Sequence, residues 1–188
     1  MTRLYLASTS PRRRELLRAA GLRFGLLAPA PDPPAPAVCA DPAALAVRHA
    51  RHKALSACRP GLTGIVAGAD TVVALGRRLL GKPAGPADAR RMLRLLSGRT
   101  HRVITGLAVR STPGGRTRTA LDVTRVTFRP LGPDDIERYI RSGEPLDKAG
   151  AYGIQGRAGV FVTRVEGSYL NVVGLPVARL FELLGKFA

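Results

Sequence analysis

The feature that most constrains the fold is an apolar segment, Gly64–Leu75, that is interrupted near its middle by one carboxylate, Asp70. Apolar side chains without alternation predict a strand covered on both faces, which is typical of the centre of an α/β sheet. A carboxylate buried there must be hydrogen-bonded, paired with a cation or bound to a metal. Gly68 would let a ligand or a backbone approach closely. We predict that Asp70 is a general base or metal ligand, with a structural ion pair to an arginine as the alternative.

Strand-like and helix-like segments alternate around this central strand. Ser10 followed by Pro11 predicts a helix start, and Gly21 predicts its end. The predicted strands are residues 3–8, 64–75, 102–109, 121–128 and 159–165. The predicted helices are residues 11–20, 41–58, 86–96, 133–142 and a segment from 176, with a proline-rich loop at 29–36. Hairpin-like strands mixed with strand–helix units predict one α/β or α+β domain over residues 1–188, built on a mixed sheet flanked by helices.

Three arginines in the first turn of the first helix oppose the helix dipole. They follow Ser8 and Ser10, and Arg12 and Arg13 are the first two. Each such exposed cation is unfavourable by about 0.3–1 kcal/mol. A bound phosphate would make the contribution of these cations favourable, because serine hydroxyls, backbone N–H groups and guanidinium groups all donate to its oxygens. We therefore interpret this segment as a phosphate site, and a solvated basic turn is the alternative.

Two further segments carry cations in glycine-containing turns. Lys82 lies in a Gly-Lys-Pro turn just beyond the central strand, where it could reach a phosphate. Residues 147–156 form a glycine-rich stretch with Lys148 and with Gln155, whose amide can donate to and accept from a base edge. Taken alone, this stretch is a weak signal, because it lacks both the Walker ending and the Rossmann glycine pattern.

The net charge of +17 and the cysteine count say little about partners. A basic chain suits a phosphate-bearing partner, but only four of the 30 basic residues are lysine, as in proteins of GC-rich genomes. Cys39 and Cys58 lack further cysteine or histidine at metal-ligand spacing, and we interpret them as reduced bystanders. The apolar stretches are too short to span a bilayer and no signal peptide is evident, so we expect a cytoplasmic protein without a membrane partner.

Taken together, these segments resemble the Maf family of nucleotide pyrophosphatases, also called septum formation proteins, over almost the whole chain. The matching segments are LASTSPRR at 6–13, GADTVV at 68–73, GKP at 81–83, LSGRTH at 96–101, PLDKAGAYGIQG at 145–156, EGSY at 166–169 and NVVGLP at 171–176. The resemblance implies an α/β sheet with a deep cleft, a homodimer, and hydrolysis of a nucleoside triphosphate between its α- and β-phosphates with a divalent cation, Mg²⁺ or Mn²⁺.

The same resemblance assigns roles to particular residues. Asp70 matches the catalytic base and a metal-binding position. Phosphate-binding positions are matched or neighboured by Arg12, Arg13, Lys53, Lys82 and Lys148. Arg12, Thr71 and Gln155 resemble the branch that takes dTTP, UTP and modified pyrimidine nucleotides, rather than the branch for 7-methyl-GTP, which tends to have Trp and Gln at the first two positions.

Two positions depart from the family pattern. Pro33 stands where an acidic residue is usual, and His52 stands where a glutamate usually precedes Lys53. Both changes remove carboxylates that would help to hold a metal. Asp32 could take over that role, and His52 would be a softer ligand, which would favour Mn²⁺ over Mg²⁺.

The sequence therefore predicts a nucleoside triphosphate pyrophosphatase that acts on dTTP, UTP or modified pyrimidine nucleotides. The alternative is a catalytically weak nucleotide- or nucleic-acid-binding protein linked to cell division. Nucleic acid is not the expected partner, because single-strand binding normally uses aromatic stacking platforms, and this chain has no Trp, four Tyr and five Phe.

Overall fold

The computed structural model describes residues 2–187, and within them a mixed seven-stranded sheet is flanked by helices. The strands are β1 (Leu4–Ala7), β2 (Phe24–Leu27), β3 (Gly64–Leu75), β4 (Arg78–Leu80), β5 (Thr100–Thr112), β6 (Thr117–Phe128) and β7 (Val162–Glu166). The α-helices are α1 (Pro11–Ala19), α2 (Pro42–Ser56), α3 (Pro86–Leu96), α4 (Pro133–Arg141), α5 (Tyr169–Val173) and α6 (Val177–Leu184). None of these helices is long and apolar enough to cross a membrane.

The sheet confirms the predicted fold class, since parallel and antiparallel pairs occur together. Its strand order is β2-β1-β3-β5-β6-β7, and β4 pairs with β3 off this path. β1 lies parallel to β2 and β3, and the remaining pairs are antiparallel. β3 is therefore a central strand, as its apolar sequence predicts. In the register of β3 with β5, Asp70 lies opposite Gly106.

Two layers of helices cover the two faces of β3. Ile65, Ala67 and Ala69 point into a core formed with α1 and α6, whereas the alternate residues face α2. On that second face α2 lies close to the sheet, because the opposing positions carry little side chain. A Cβ on Gly68 would stand 2.7 Å from the amide nitrogen of Ala54, and one on Gly106 would overlap the backbone of α2.

A separate core, formed by residues between Val73 and Phe161, lies beside the cleft. Side chains of α3 and α4 pack there with Phe128 of β6 and Phe161. One boundary predicted in this region is wrong. The strand expected from residue 159 begins only at Val162, because Arg157–Phe161 forms a short 3-10 helix before it. The short strands β2 and β4 and the short helix α5 were not predicted. Two further 3-10 helices, Glu144–Asp147 and Ala149–Ala151, shape the glycine-rich segment.

Candidate active site

A cleft of about 800 Å³ opens beside β3, and the side chains predicted for the site all line it. They come from distant parts of the chain: the β1–α1 junction, α2, β3, the turn after β4 and the glycine-rich segment. The predicted residues brought together are Ser8, Ser10, Arg12, Arg13, Lys53, Asp70, Thr71, Lys82, Lys148 and Gln155. The structure thus gathers the candidate base and the candidate phosphate-binding groups around one volume.

Asp70 lies on the face of β3 that α2 covers, and it is held by a cation. The Nζ of Lys53 donates to Oδ1 of Asp70 at 2.6 Å, and the same nitrogen lies 2.8 Å from Oδ2 of Asp32. The side chains of Lys53 and Asp70 are each 13% exposed. Lys53 therefore bridges two carboxylates at the wall of the cleft, and the charge of Asp70 is compensated in its partly buried position.

His49 is a second partner of Asp70 that the sequence analysis missed. Its Nδ1 lies 3.3 Å from Oδ2 of Asp70, and its side chain is 5% exposed. His49 precedes Lys53 by four residues in α2, so both side chains lie on one helix face. That spacing, opposite a buried carboxylate on the next strand, is the signal that could have revealed the contact.

Arg13 is buried and its guanidinium group is used inside the protein. Nε donates to the carbonyl of Gly174 at 2.8 Å, Nη1 to the carbonyl of Ala69 at 2.8 Å, and Nη2 to Oγ1 of Thr71 at 3.0 Å. Burial lowers the pKa of Arg13, although Asp70 and Asp32 act in the opposite direction. Arg13 thus ties α1 to β3 and to the loop after α5, and places a fixed positive charge behind Asp70.

The entrance of the cleft carries an ion-pair cluster between α1 and the glycine-rich segment. Nη1 of Arg12 lies 3.2 Å from Oδ2 of Asp147, and Nζ of Lys148 donates to Oδ1 of the same carboxylate at 2.6 Å. Burial raises the pKa of Asp147, but the hydrogen bonds from Lys148 and Arg12 outweigh it, and the net pKa is lowered. Lys82 is exposed on its turn and lines the same cleft. These cations can meet a polyphosphate from several sides.

Ser8 and Ser10 lie just before α1, and both line the cleft. Ser10 occupies the predicted N-cap position, but its side chain makes no capping hydrogen bond. Its backbone nitrogen instead donates to Oγ of Ser8 at 3.2 Å. The first turn of α1 therefore has no side-chain cap, so its N–H groups can bind an anion.

Glu144 holds the glycine-rich segment in place through hydrogen bonds. Oε1 of Glu144 accepts a hydrogen bond from the hydroxyl of Tyr139 at 3.0 Å, and Oε2 accepts one from the backbone nitrogen of Arg157 at 3.0 Å. Gly156 leaves the space that this carboxylate fills. Gln155 is exposed on the braced loop and lines the cleft. Its amide is thereby available to a ligand.

Tyr152 forms part of the cleft wall and is anchored by a buried histidine. Its hydroxyl lies 2.8 Å from Nε2 of His101, and the rings of His101, Tyr152 and Phe128 pack edge to face. Burial lowers the pKa of His101 to about 4 and raises the pKa of the Tyr152 hydroxyl. Both groups are therefore neutral and structural near pH 7.

The two departures from the family pattern, Pro33 and His52, have different surroundings. Asp32, next to the exposed Pro33, places one oxygen beside Lys53, and donor atoms of Asp32, His49 and Asp70 lie within 4.8 Å of one another. His52 instead bonds the carbonyl of Pro31 through Nε2 at 2.9 Å, and so tethers the proline-rich loop. Carboxylate oxygens from two chain segments suit a hard divalent cation. Asp32 and Asp70 thus fit a metal, with His49 beside them.

The comparisons with known proteins agree with this geometry. The family model for Maf-like proteins matches residues 3–187. A dTTP/UTP pyrophosphatase of Moorella thermoacetica is 51% identical over 195 residues, covering 100% of this chain and 96% of that protein. A dTTP/UTP pyrophosphatase of Carboxydothermus hydrogenoformans is 45% identical, covering 98% of each chain. One of Cupriavidus pinatubonensis is 48% identical, covering 96% of this chain and 94% of that protein.

Proposed function

This chain belongs to the Maf-like protein family, and from that membership we propose that it hydrolyses nucleoside triphosphates to the monophosphate and pyrophosphate, with a preference for dTTP and UTP. The observation that carries the proposal is a carboxylate, Asp70, that Lys53 holds in a cleft also lined by Arg12, Lys82 and Lys148. The full-length similarity to three dTTP/UTP pyrophosphatases supports the substrate class.

The cations give the cleft its selectivity for a polyphosphate. Arg12, Lys82 and Lys148 line its walls from three chain segments. They stabilise the charge that accumulates on the pyrophosphate as the bond between the α- and β-phosphorus atoms breaks. Arg13 is committed to internal carbonyls and contributes a fixed charge rather than a mobile one. Ser8 and Ser10 donate to phosphate oxygens at the start of α1.

Asp70 orients and deprotonates the water that attacks the α-phosphorus. Its Oδ1 accepts a hydrogen bond from Lys53, which holds the carboxylate in one orientation at the wall of the cleft. Asp32 and Asp70 would hold a divalent cation, which would neutralise phosphate charge and favour deprotonation of the attacking water. Mg²⁺ or Mn²⁺ suits this oxygen-rich donor set. Lys53 keeps the two carboxylates from repelling each other before the substrate binds.

Base preference is assigned to Arg12, Thr71 and Gln155, the positions that resemble the dTTP/UTP branch. Gln155 can pair with a base edge through both its donor and its acceptor. Arg12→Trp combined with Thr71→Gln should shift the ratio of kcat/KM for dTTP to that for 7-methyl-GTP toward the purine. An unchanged ratio would refute the assignment of these positions.

The test is pyrophosphate release from dTTP, UTP, CTP, ATP and GTP with Mg²⁺ or Mn²⁺. We expect metal-dependent release with a pyrimidine preference, abolished in Asp70→Asn. Asp134→Asn, at an exposed acidic position in the first turn of α4, is the matched control and should retain activity. Nucleotide binding without release by the wild-type protein would instead favour the binding-protein alternative.

We further infer a cytoplasmic homodimer from the family resemblance. Light scattering coupled to size-exclusion chromatography measures the assembly directly. A mass near that of one 19.9 kDa chain would refute the dimer.

A further inference from the structure

Asp70 has a second partner, His49, at the carboxylate oxygen that Lys53 does not contact. We propose that His49 is a positioning residue, whose Nδ1–H donates to Oδ2 of Asp70 and fixes the carboxylate for catalysis. The effect on catalysis rests on the proposed function, whereas the hydrogen bond itself does not.

The two carboxylate oxygens of Asp70 are held separately. Lys53 donates to Oδ1 at 2.6 Å, and Nδ1 of His49 lies 3.3 Å from Oδ2. The second distance is long for a hydrogen bond to a charged group, but catalytic hydrogen bonds are often long before substrate binds. Contacts to both oxygens remove the rotation of the carboxylate about its Cβ–Cγ bond. A base that must meet a water in one direction benefits from that restriction.

The surroundings of the ring identify which nitrogen carries the proton. Nε2 of His49 is buried and has no hydrogen-bond partner among the described residues. A proton on Nε2 would leave a buried donor unpaired, and Nδ1 would then turn its lone pair toward the carboxylate oxygen. A proton on Nδ1 leaves only an unpaired acceptor, Nε2. It also replaces the repulsion between the Nδ1 lone pair and the carboxylate oxygen with a hydrogen bond. The Nδ1–H tautomer is therefore favoured.

The same argument separates positioning from metal ligation. A histidine that binds a metal through Nδ1 must carry its proton on Nε2, and that proton is usually donated to a neighbouring acceptor. His49 has no such acceptor among the described residues. The ring thus fits the donor role, and the oxygens of Asp32 and Asp70 are left to hold a cation.

The close approach of α2 to the sheet brings His49 to this position. Ala46 and Ala50 flank it on the buried side of the helix and are fully buried. Gly106, opposite Asp70 on β5, has no side chain to keep the helix away. Among the described residues, the ring contacts the charged group of Asp70, which in turn pairs with Lys53, and Lys53 pairs with Asp32; the charge of Arg13 also acts on Asp70.

Nitrogen NMR of the imidazole rings tests the hydrogen bond without any assay of activity. The chain has three histidines, so the signals of His49 are identified by their loss in His49→Asn. At pH 8 we expect the long-range proton–nitrogen pattern of the Nδ1–H tautomer. The Nε2–H pattern would overturn the proposal, because Nδ1 would then have no proton to donate.

Three substitutions at His49 test the catalytic consequence. Asn places an amide N–H where Nδ1 stands, whereas Gln places it where Nε2 stands, and Leu supplies neither. His49→Gln and His49→Leu should lower kcat for dTTP by about 10–100-fold with KM unchanged, the size of effect seen for residues that orient a site. His49→Asn should recover most of the rate. Equal losses in Asn and Gln, or no loss in any variant, would overturn the positioning role.

Metal binding provides the last test of the proposal. Electron spin echo envelope modulation of bound Mn²⁺ should show no directly bonded imidazole nitrogen in the wild-type protein. A nitrogen coupling of that kind that disappears in His49→Gln would identify His49 as a ligand and overturn the proposal. If the wild-type protein releases no pyrophosphate from any nucleotide, the proposed function fails, while the tautomer still decides whether His49 donates to Asp70.

Discussion

Gly68→Ala tests whether the close contact between α2 and β3 is what sets the site. The new Cβ would overlap the carbonyl oxygen of Ala50 and stand 2.7 Å from the amide nitrogen of Ala54. Both atoms belong to helix backbone and cannot rotate away, so α2 must shift outward. Overpacking of this kind is destabilising by about 1–3 kcal/mol, and rigid neighbours favour the upper end. The melting temperature should then fall by about 6–12 °C for a chain of this size.

The same shift carries Lys53 away from Asp70, so activity should fall more than stability alone explains. A displacement of about 1 Å in a catalytic group lowers the rate by on the order of 100-fold. Calorimetry and pyrophosphate release from dTTP are measured on the same preparation, at a temperature where the variant is folded. Gly185→Ala is the matched control, because nothing lies within 4 Å of its Cβ position. A folded Gly68→Ala protein with wild-type melting temperature and kcat would refute the reasoning.

Three further perturbations probe separate parts of the cleft. Lys53→Met should lower kcat by about 10²–10³-fold, because a charge that orients Asp70 is lost; an unchanged kcat in steady-state assays would contradict this. Since the folded pKa of His101 is about 4 against 6.5 unfolded, its contribution to stability is complete above pH 6.5 and is lost as pH falls toward 4. Between pH 7 and pH 4 the free energy of unfolding, measured by chemical denaturation, should therefore fall by about 3 kcal/mol more in the wild-type protein than in His101→Gln. The same pH dependence in both proteins would refute this. Glu144→Ala should reduce the dTTP-to-GTP ratio of kcat/KM, because the loop that carries Gln155 loses its brace; an unaltered ratio would argue against that role.

The sequence was most informative where one residue conflicted with its surroundings. Asp70 in an apolar strand predicted both the central position of β3 and a partnered carboxylate, and both are confirmed. For Arg13, the sequence did not indicate the contacts that the structure shows. Its position in a basic helix start suggested a phosphate contact, whereas its guanidinium group donates to the carbonyls of Ala69 and Gly174. Local sequence cannot show which acceptors a long side chain meets across 56 or 161 residues.

Other features depended on contacts that only the folded chain creates. His49 looks like an ordinary residue of an alanine-rich helix until α2 is placed on β3. Asp32 lies in a proline-rich loop without periodicity, and its position follows from the ion pair with Lys53. The strand β2 contains Gly25 and only one of its residues is buried, so its sequence resembles a loop, and its pairing with β1 defines it.

The most direct test of the central claim is phosphorus NMR of dTTP incubated with the purified protein and Mg²⁺ or Mn²⁺, beside Asp70→Asn and a sample with excess chelator. We predict dTMP and pyrophosphate as the sole products of the wild-type protein with metal, and unchanged dTTP in the other two samples. Formation of dTDP and inorganic phosphate would contradict cleavage between the α- and β-phosphates, and equal turnover by Asp70→Asn would contradict the role of this carboxylate.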